Sequence, residues 1–165
     1  MDSTVNIYLQ RSLNEISIAK LLITVSGNNK KKQEFQIDED MTFYSGAISH
    51  SYYSIFYAAK ATLLTKGIKT EMPNVHKKTY EAFKAEFVDS GVLDIELLNI
   101  YQKMMVRADE LLQIFKEEKW KRGNFTYQTI PQANKEPAEQ SVRNASEFLK
   151  NIKMILDNRI KRLEL

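Results

Sequence analysis

The stretch MTFYSGAISHSYYSIFYAAKATLLTK, Met41 to Lys66, decides the fold. Ile48, Tyr52, Ile55, Phe56, Ala59 and Leu63 recur at steps of three and four, the period of a helix with an apolar face. A second line, Ala47, Ser51, Ser54, Ala58 and Ala61, is small throughout. Apolar or small residues round most of the circumference describe a central helix packed on several sides. Small residues also let the backbone of a neighbouring helix come close. Gly67 stops the run, and Asp38 or Asp40 is placed to cap its start.

The same period continues on both sides. Val5, Leu9, Leu13, Ile16 and Ile23 share one face of a helix from about Val5 to Val25, which Gly27 ends. NNKKKQ, Asn28 to Gln33, reads as a solvated basic loop. Downstream, Asn74 can cap a helix that runs through about Phe87 and stops at Ser90–Gly91. Asp94 can cap the next, which carries Leu97, Tyr101, Met104, Ala108, Leu111 and Phe115 at helical steps. Pro137 suits the first turn of a last helix, with Ala138, Val142, Ala145, Leu149, Ile152 and Leu156 inward. No convincing run alternates with period two, and no hairpin dipeptide separates apolar segments. Only 5 Gly and 3 Pro occur in 165 residues, which disfavours a turn-rich β fold. The expected fold is all-α: a single domain over residues 1–165, an up-and-down bundle of about five helices.

Composition removes several kinds of chemistry. With no Cys there are no disulfides, thiolate metal sites or Cys nucleophiles. No apolar run approaches the roughly 18 residues that a membrane span needs, and the first residues lack a basic-then-apolar leader. The expected location is the cytoplasm, away from membranes. A net charge of +3 is too small to imply nucleic-acid binding by itself. Neither GxxxxGK[ST] nor GxGxxG occurs, so no cofactor is expected. His50 and His76 lie on different helices without clustered carboxylates, so no metal site is expected either. His50 reads as a helix-flank histidine bonded to a neighbour, and His76, beside Lys77 and Lys78, as surface decoration. Acid–base work for the first and anion binding for the second are the sharper alternatives.

One segment has a different chemistry: KWKRGNFTYQTIPQAN, Lys119 to Asn134. Lys116, Lys119, Lys121 and Arg122 place four positive charges within seven residues, partly offset by Glu117 and Glu118, with Trp120, Phe125 and Tyr127 interleaved. Cations set among aromatics can hold a phosphate backbone and stack on bases. Arg122 offers a planar fork for phosphate, Tyr127 a phenol, and Asn124 an amide between them. Lys119, Lys121, Trp120 and Phe125 are the expected RNA- or phosphate-binding residues. The plainer reading is a loop whose aromatics fill one end of the bundle while its charges stay wet.

HSYYSIFYAAKATLLTKGI (His50 to Ile68), VHKKTYEAFKAEFVDSGVL (Val75 to Leu93), RGNFTY (Arg122 to Tyr127) and PAEQSVRNASEFL (Pro137 to Leu149) follow one another in the order expected of the HEPN superfamily. The chain resembles its small single-domain archaeal and bacterial members. That resemblance implies a helical bundle, usually a homodimer, with a polar site near the dimer interface. Active members are metal-independent endoribonucleases that use an Arg followed, after four to six residues, by a His. Many are toxins encoded beside a minimal nucleotidyltransferase antitoxin, which can modify a Tyr near the Arg. Carried onto this chain, the resemblance makes Arg122, Asn124 and Tyr127 the catalytic candidates and Tyr127 the candidate for modification.

The chain departs from that pattern in one respect: Tyr127 stands where a His is expected, and no His follows His76. A phenol with an ordinary pKa near ~10 is a poor base at neutral pH. Two functions therefore stand side by side. One is a toxin-type endoribonuclease using Arg122-x4-Tyr127. The other is a non-catalytic module that binds a nucleotide or a partner. A homodimer is expected in either case, with an interface beside Arg122 and Tyr127. The small-residue line of the central helix, opposite its apolar line, is taken as surface that a second copy covers.

Overall fold

The computed structural model describes residues 3–121 and 135–163, including the side chains of 3–109 and 135–157. Among the described residues six α-helices follow in order: α1 (Ser3–Ser26), α2 (Asn29–Glu34), α3 (Tyr44–Leu64), α4 (Val75–Phe83), α5 (Ile95–Lys121) and α6 (Lys135–Leu163). A π-helical turn, Lys84–Val88, extends α4. No strand occurs among the described residues. The five long helices match the expected all-α bundle, and α2 is the addition.

α3 is the central helix and packs against α1, α4, α5 and α6. Its apolar line meets the main core, where Phe83, Phe87, Tyr101 and Phe148 interlock, with Phe83 5.4 Å from Phe148 and Tyr101 5.7 Å from Phe148 between ring centroids. Such ring pairs add to the burial of their area. The small line lies against α1. Ser12 Oγ donates to the Ser54 carbonyl at 2.7 Å, and Ser54 Oγ donates to the Ser12 carbonyl at 2.9 Å. That reciprocal exchange requires two backbones close together, which small side chains permit.

This packing corrects one expectation. Ala47, Ser51, Ser54, Ala58 and Ala61 are all wholly buried within the single chain, as are Ile48, Ile55 and Ala59 on the other side. Neither line of α3 is left for a second copy. α1 covers the small line because it lies antiparallel to α3 at serine-to-serine distance.

The helix ends are partly as expected. Asp94 caps α5, accepting from the Glu96 N–H at 3.0 Å. Gly67 closes α3 in the left-handed region at φ 76, with the Ile68 N–H returning to the Leu63 carbonyl at 3.1 Å, a C-terminal closure that favours glycine. Two caps fail. Asp38 and Asp40 do not cap α3, whose N-cap is Phe43 with no side-chain bond. Instead the Phe43 N–H is held by Ser26 Oγ at 2.8 Å. Asn74 does sit at the N-cap of α4, but in the left-handed conformation and with no side-chain cap bond.

The segment Asn28 to Gln33, expected as a loop, is mostly helical. The Asn28 side chain accepts from the Lys31 N–H at 3.1 Å and starts α2. Lys32 is buried because its ammonium donates to the Glu39 carbonyl, which leaves its apolar stem packed inside.

Candidate functional site

Of the sequence candidates, Lys119, Trp120 and Lys121 fall on the last turn of α5. Arg122, Asn124, Phe125 and Tyr127 lie outside the described residues. Lys121 is twelve residues beyond Asp109 on one continuous helix, about 18 Å along the axis. The basic end of α5 is therefore set well apart from what lies around Asp109.

A different cluster is built on α3. Between Ile48 and Leu63 the only residues not buried are Ser49, His50, Tyr53, Tyr57 and Lys60. The last four are spaced three, four and three apart, so they form a single open line along the otherwise enclosed helix. α1 borders this line on one side. Glu15 meets His50 Nδ1 at 2.6 Å. The Arg11 guanidinium lies 5.0 Å from the centre of the Tyr57 ring, and Tyr8 stacks on Tyr57 with centroids 6.0 Å apart. Lys60 Nζ sits 4.9 Å from the Tyr8 ring and donates to the Thr70 carbonyl at 3.0 Å. His50 is thus the bonded helix-flank histidine that its sequence context suggests.

α4 borders the other side through His76. Its Nδ1 is 2.7 Å from the Tyr52 hydroxyl. Its ring lies 4.3 Å from Phe56 and 6.1 Å, edge-on, from Tyr53. His76 is therefore not surface decoration: it is half-buried among α3 aromatics, which reach over the first turn of α4. Burial lowers its pKa below the ordinary value near 6.5, Lys60 adds to the lowering, and Asp109 on α5 opposes it. Burial raises the Tyr52 phenol well above its ordinary pKa, with Asp109 and Tyr53 adding. Tyr52 thus stays protonated at neutral pH.

These directions define what the pair can do. A neutral imidazole beside a protonated phenol exists in two hydrogen-bonded forms. With the proton on Nδ1, His76 donates to the Tyr52 oxygen and its Nε2 lone pair can accept a proton. With Nδ1 unprotonated, Tyr52 donates and Nε2–H becomes a donor. The pair can therefore serve as acid or base near neutrality without a metal. Among the described residues there is no cluster of three metal-ligating side chains. Nor is any helix there long and apolar enough to cross a membrane.

Sequence reasoning missed Tyr52, Asp109 and the open line. The spacing of His50, Tyr53, Tyr57 and Lys60 was the available signal: four polar or amphipathic residues on one side of a helix that is otherwise apolar or small.

Comparison with known proteins places these elements in a family context. The HEPN domain matches residues 29–155, which takes in α2 to α5 and most of α6 but not α1. "Putative toxin MJ0142" of Methanocaldococcus jannaschii is 37% identical over 81 residues, 46% of this chain and 53% of that protein. "Putative toxin MJ0605" of the same organism is 29% identical over 113 residues, 68% of this chain and 71% of the relative. The UPF0332 protein PH1297 of Pyrococcus horikoshii is 40% identical over 68 residues, 40% of this chain and 43% of the relative. The chain thus spans about half the length of the first of these relatives.

Proposed function

Because the chain belongs to the HEPN family, we propose that residues 1–165 form a single HEPN-like domain acting in the cytoplasm as the endoribonuclease-type toxin of a HEPN–nucleotidyltransferase pair. Two relatives carry toxin in their names, which supports the role. The observation that carries the chemistry is the half-buried, neutral His76 bonded to Tyr52, since metal-independent RNA cleavage needs a group that takes a proton from a 2′-hydroxyl near pH 7. The loop is the alternative reacting centre, set apart from His76 along α5: there Arg122 would hold the scissile phosphate and its developing charge, with Asn124 and Tyr127 orienting the reacting oxygens. Lys119, Trp120, Lys121 and Phe125 hold the flanking strand.

The two proton-transfer candidates, Tyr127 and His76, are separated by experiment. Purified protein is incubated with structured RNAs in EDTA, alongside Arg122→Ala, Tyr127→Phe and His76→Gln. Cleavage by wild type that survives His76→Gln but not Tyr127→Phe assigns the proton transfer to the loop; the reverse assigns it to α4. Cleavage undiminished in Arg122→Ala removes the phosphate-holding role.

The second reading is a non-catalytic module that binds a nucleotide or partner, and the absence of a His after His76 favours it. Co-expression with a minimal nucleotidyltransferase tests the pairing: Tyr127 should gain the mass of a nucleotide. A homodimer with its interface beside Arg122 and Tyr127 is part of both readings. Sedimentation that gives a monomer of 19.2 kDa at every concentration would sink it.

A further inference from the structure

The open line of α3 has a property that proton transfer at His76 does not use. Tyr8, Tyr57 and Tyr53 form a row of rings, 6.0 and 6.3 Å apart, with interplanar angles of 24° and 27°. Tyr53 is 37% exposed on a helix whose neighbouring residues are almost all enclosed. Cations stand over the row: Arg11 over Tyr57 and Lys60 over Tyr8. Among the described residues neither cation is in a salt bridge. Lys60 uses one donor on Thr70, which leaves two of its three for an outside anion. The carboxylates near this face are Glu15, which is held by His50, and Asp109, which acts on Tyr52 and His76 at the other edge.

We propose that Tyr8, Tyr53 and Tyr57, with Arg11 and Lys60, form a stacking platform for single-stranded RNA that leads to His76. The inference rests on the ribonuclease reading and names the form of its substrate. The exposed Tyr53 ring at the end of the row offers a surface on which an unpaired base can stack regardless of sequence, and the cations over Tyr57 and Tyr8 take the phosphates of the strand that runs along it. Bases held in a duplex have no free face to offer, so the platform selects unpaired strand. The platform also gives α1 a part in binding, although α1 precedes the residues that match the family.

A fluorescent 2′-O-methyl oligonucleotide measures binding by anisotropy and cannot be cleaved through its 2′-oxygen. Wild type should bind it and bind the corresponding duplex far more weakly. Stacking on an aromatic contributes about 1–3 kcal/mol per base, so Tyr53→Ala or Tyr57→Ala should weaken binding roughly five- to a hundredfold. Tyr57→Phe should bind like wild type, because it keeps the ring. Arg11→Ala, an exposed change that leaves the core alone, should weaken binding and flatten its salt dependence. Circular dichroism checks that each variant is folded, and if Tyr57→Ala is not, Arg11→Ala and Tyr53→Ala decide. If wild type binds the strand and all folded variants bind equally well, the platform is wrong while the ribonuclease reading stands. If wild type neither binds nor cleaves RNA, both fall. If the tyrosine variants instead split a dimer without changing RNA affinity, the row is a contact between two copies of the chain and the platform is wrong.

Discussion

His76 Nδ1 on α4 and the Tyr52 hydroxyl on α3 are 2.7 Å apart, and this bond ties the first turn of α4 to the central helix. Because burial lowers the pKa of His76 in the folded protein, the unfolded chain binds more protons than the folded one as pH falls through about 6.5. Stability is then full above that value and declines on acidification through the folded pKa. Melting temperature should drop between pH 7.5 and 5, and His76→Gln should make that drop shallower. Parallel curves for the two proteins would show that His76 is not held neutral by the fold.

Tyr101 presents the opposite case. Its ring is fully enclosed in the aromatic core, but its hydroxyl has no hydrogen-bond partner among the described residues. An unsatisfied buried polar group costs about 1–3 kcal/mol. Tyr101→Phe removes the group and keeps the ring, so it should leave stability unchanged or raise it. The midpoint of urea unfolding should stay or move up at constant m-value. A clear fall would mean that the hydroxyl is bonded.

The bundle was readable because its apolar residues repeat at helical steps in every long element, and α3 could be identified as central from its apolar and small lines, although the small line is covered by α1 rather than by a second copy. α2 was not readable. Lys30, Lys31 and Lys32 look solvated together, and only the position of the Glu39 carbonyl makes Lys32 a buried residue. The site was harder for a related reason. Which polar residues of a central helix stay open depends on the helices packed around it, and that is a non-local property. His76 shows this directly: Lys77 and Lys78 beside it suggest exposure, whereas Phe56 and Tyr52, some twenty residues earlier, enclose it. Composition drew attention to Arg122 and Tyr127 in the loop, while the α3 line combines ordinary residues whose meaning comes from their neighbours.

The Ser12–Ser54 exchange gives a prediction about packing. Ser54→Ala loses one donor and keeps the space, so it should cost about 1 kcal/mol. Ser54→Leu adds bulk where two backbones share hydrogen bonds, and overpacking should bring the loss to at least about 1–3 kcal/mol. Denaturant midpoints of the two variants decide it. Equal losses would mean that α1 can move away from α3 freely, which would also disturb the Tyr8–Tyr57 contact.

Arg107 links α5 to the start of α6. Its Nη1 donates to the Pro137 carbonyl at 3.1 Å and to Ser141 Oγ at 2.9 Å, while Ser141 Oγ donates to the same carbonyl at 2.8 Å. Ser141 is buried and Arg107 half-buried, so water replaces the guanidinium only in part when it is removed. Hydrogen bonds to a charged donor contribute about 1.5–3 kcal/mol, and partial exposure places this one toward the lower end. Arg107→Met keeps the stem and deletes the donors. Melting should fall by roughly 2–4 °C for each kcal/mol lost. The loss should also be local. Amides in the first two turns of α6 should exchange with solvent faster, while those of α1 and α3, held by the serine pair, should exchange as in wild type. Unchanged exchange at the start of α6 would show that Ala138 and its apolar neighbours anchor the helix without Arg107.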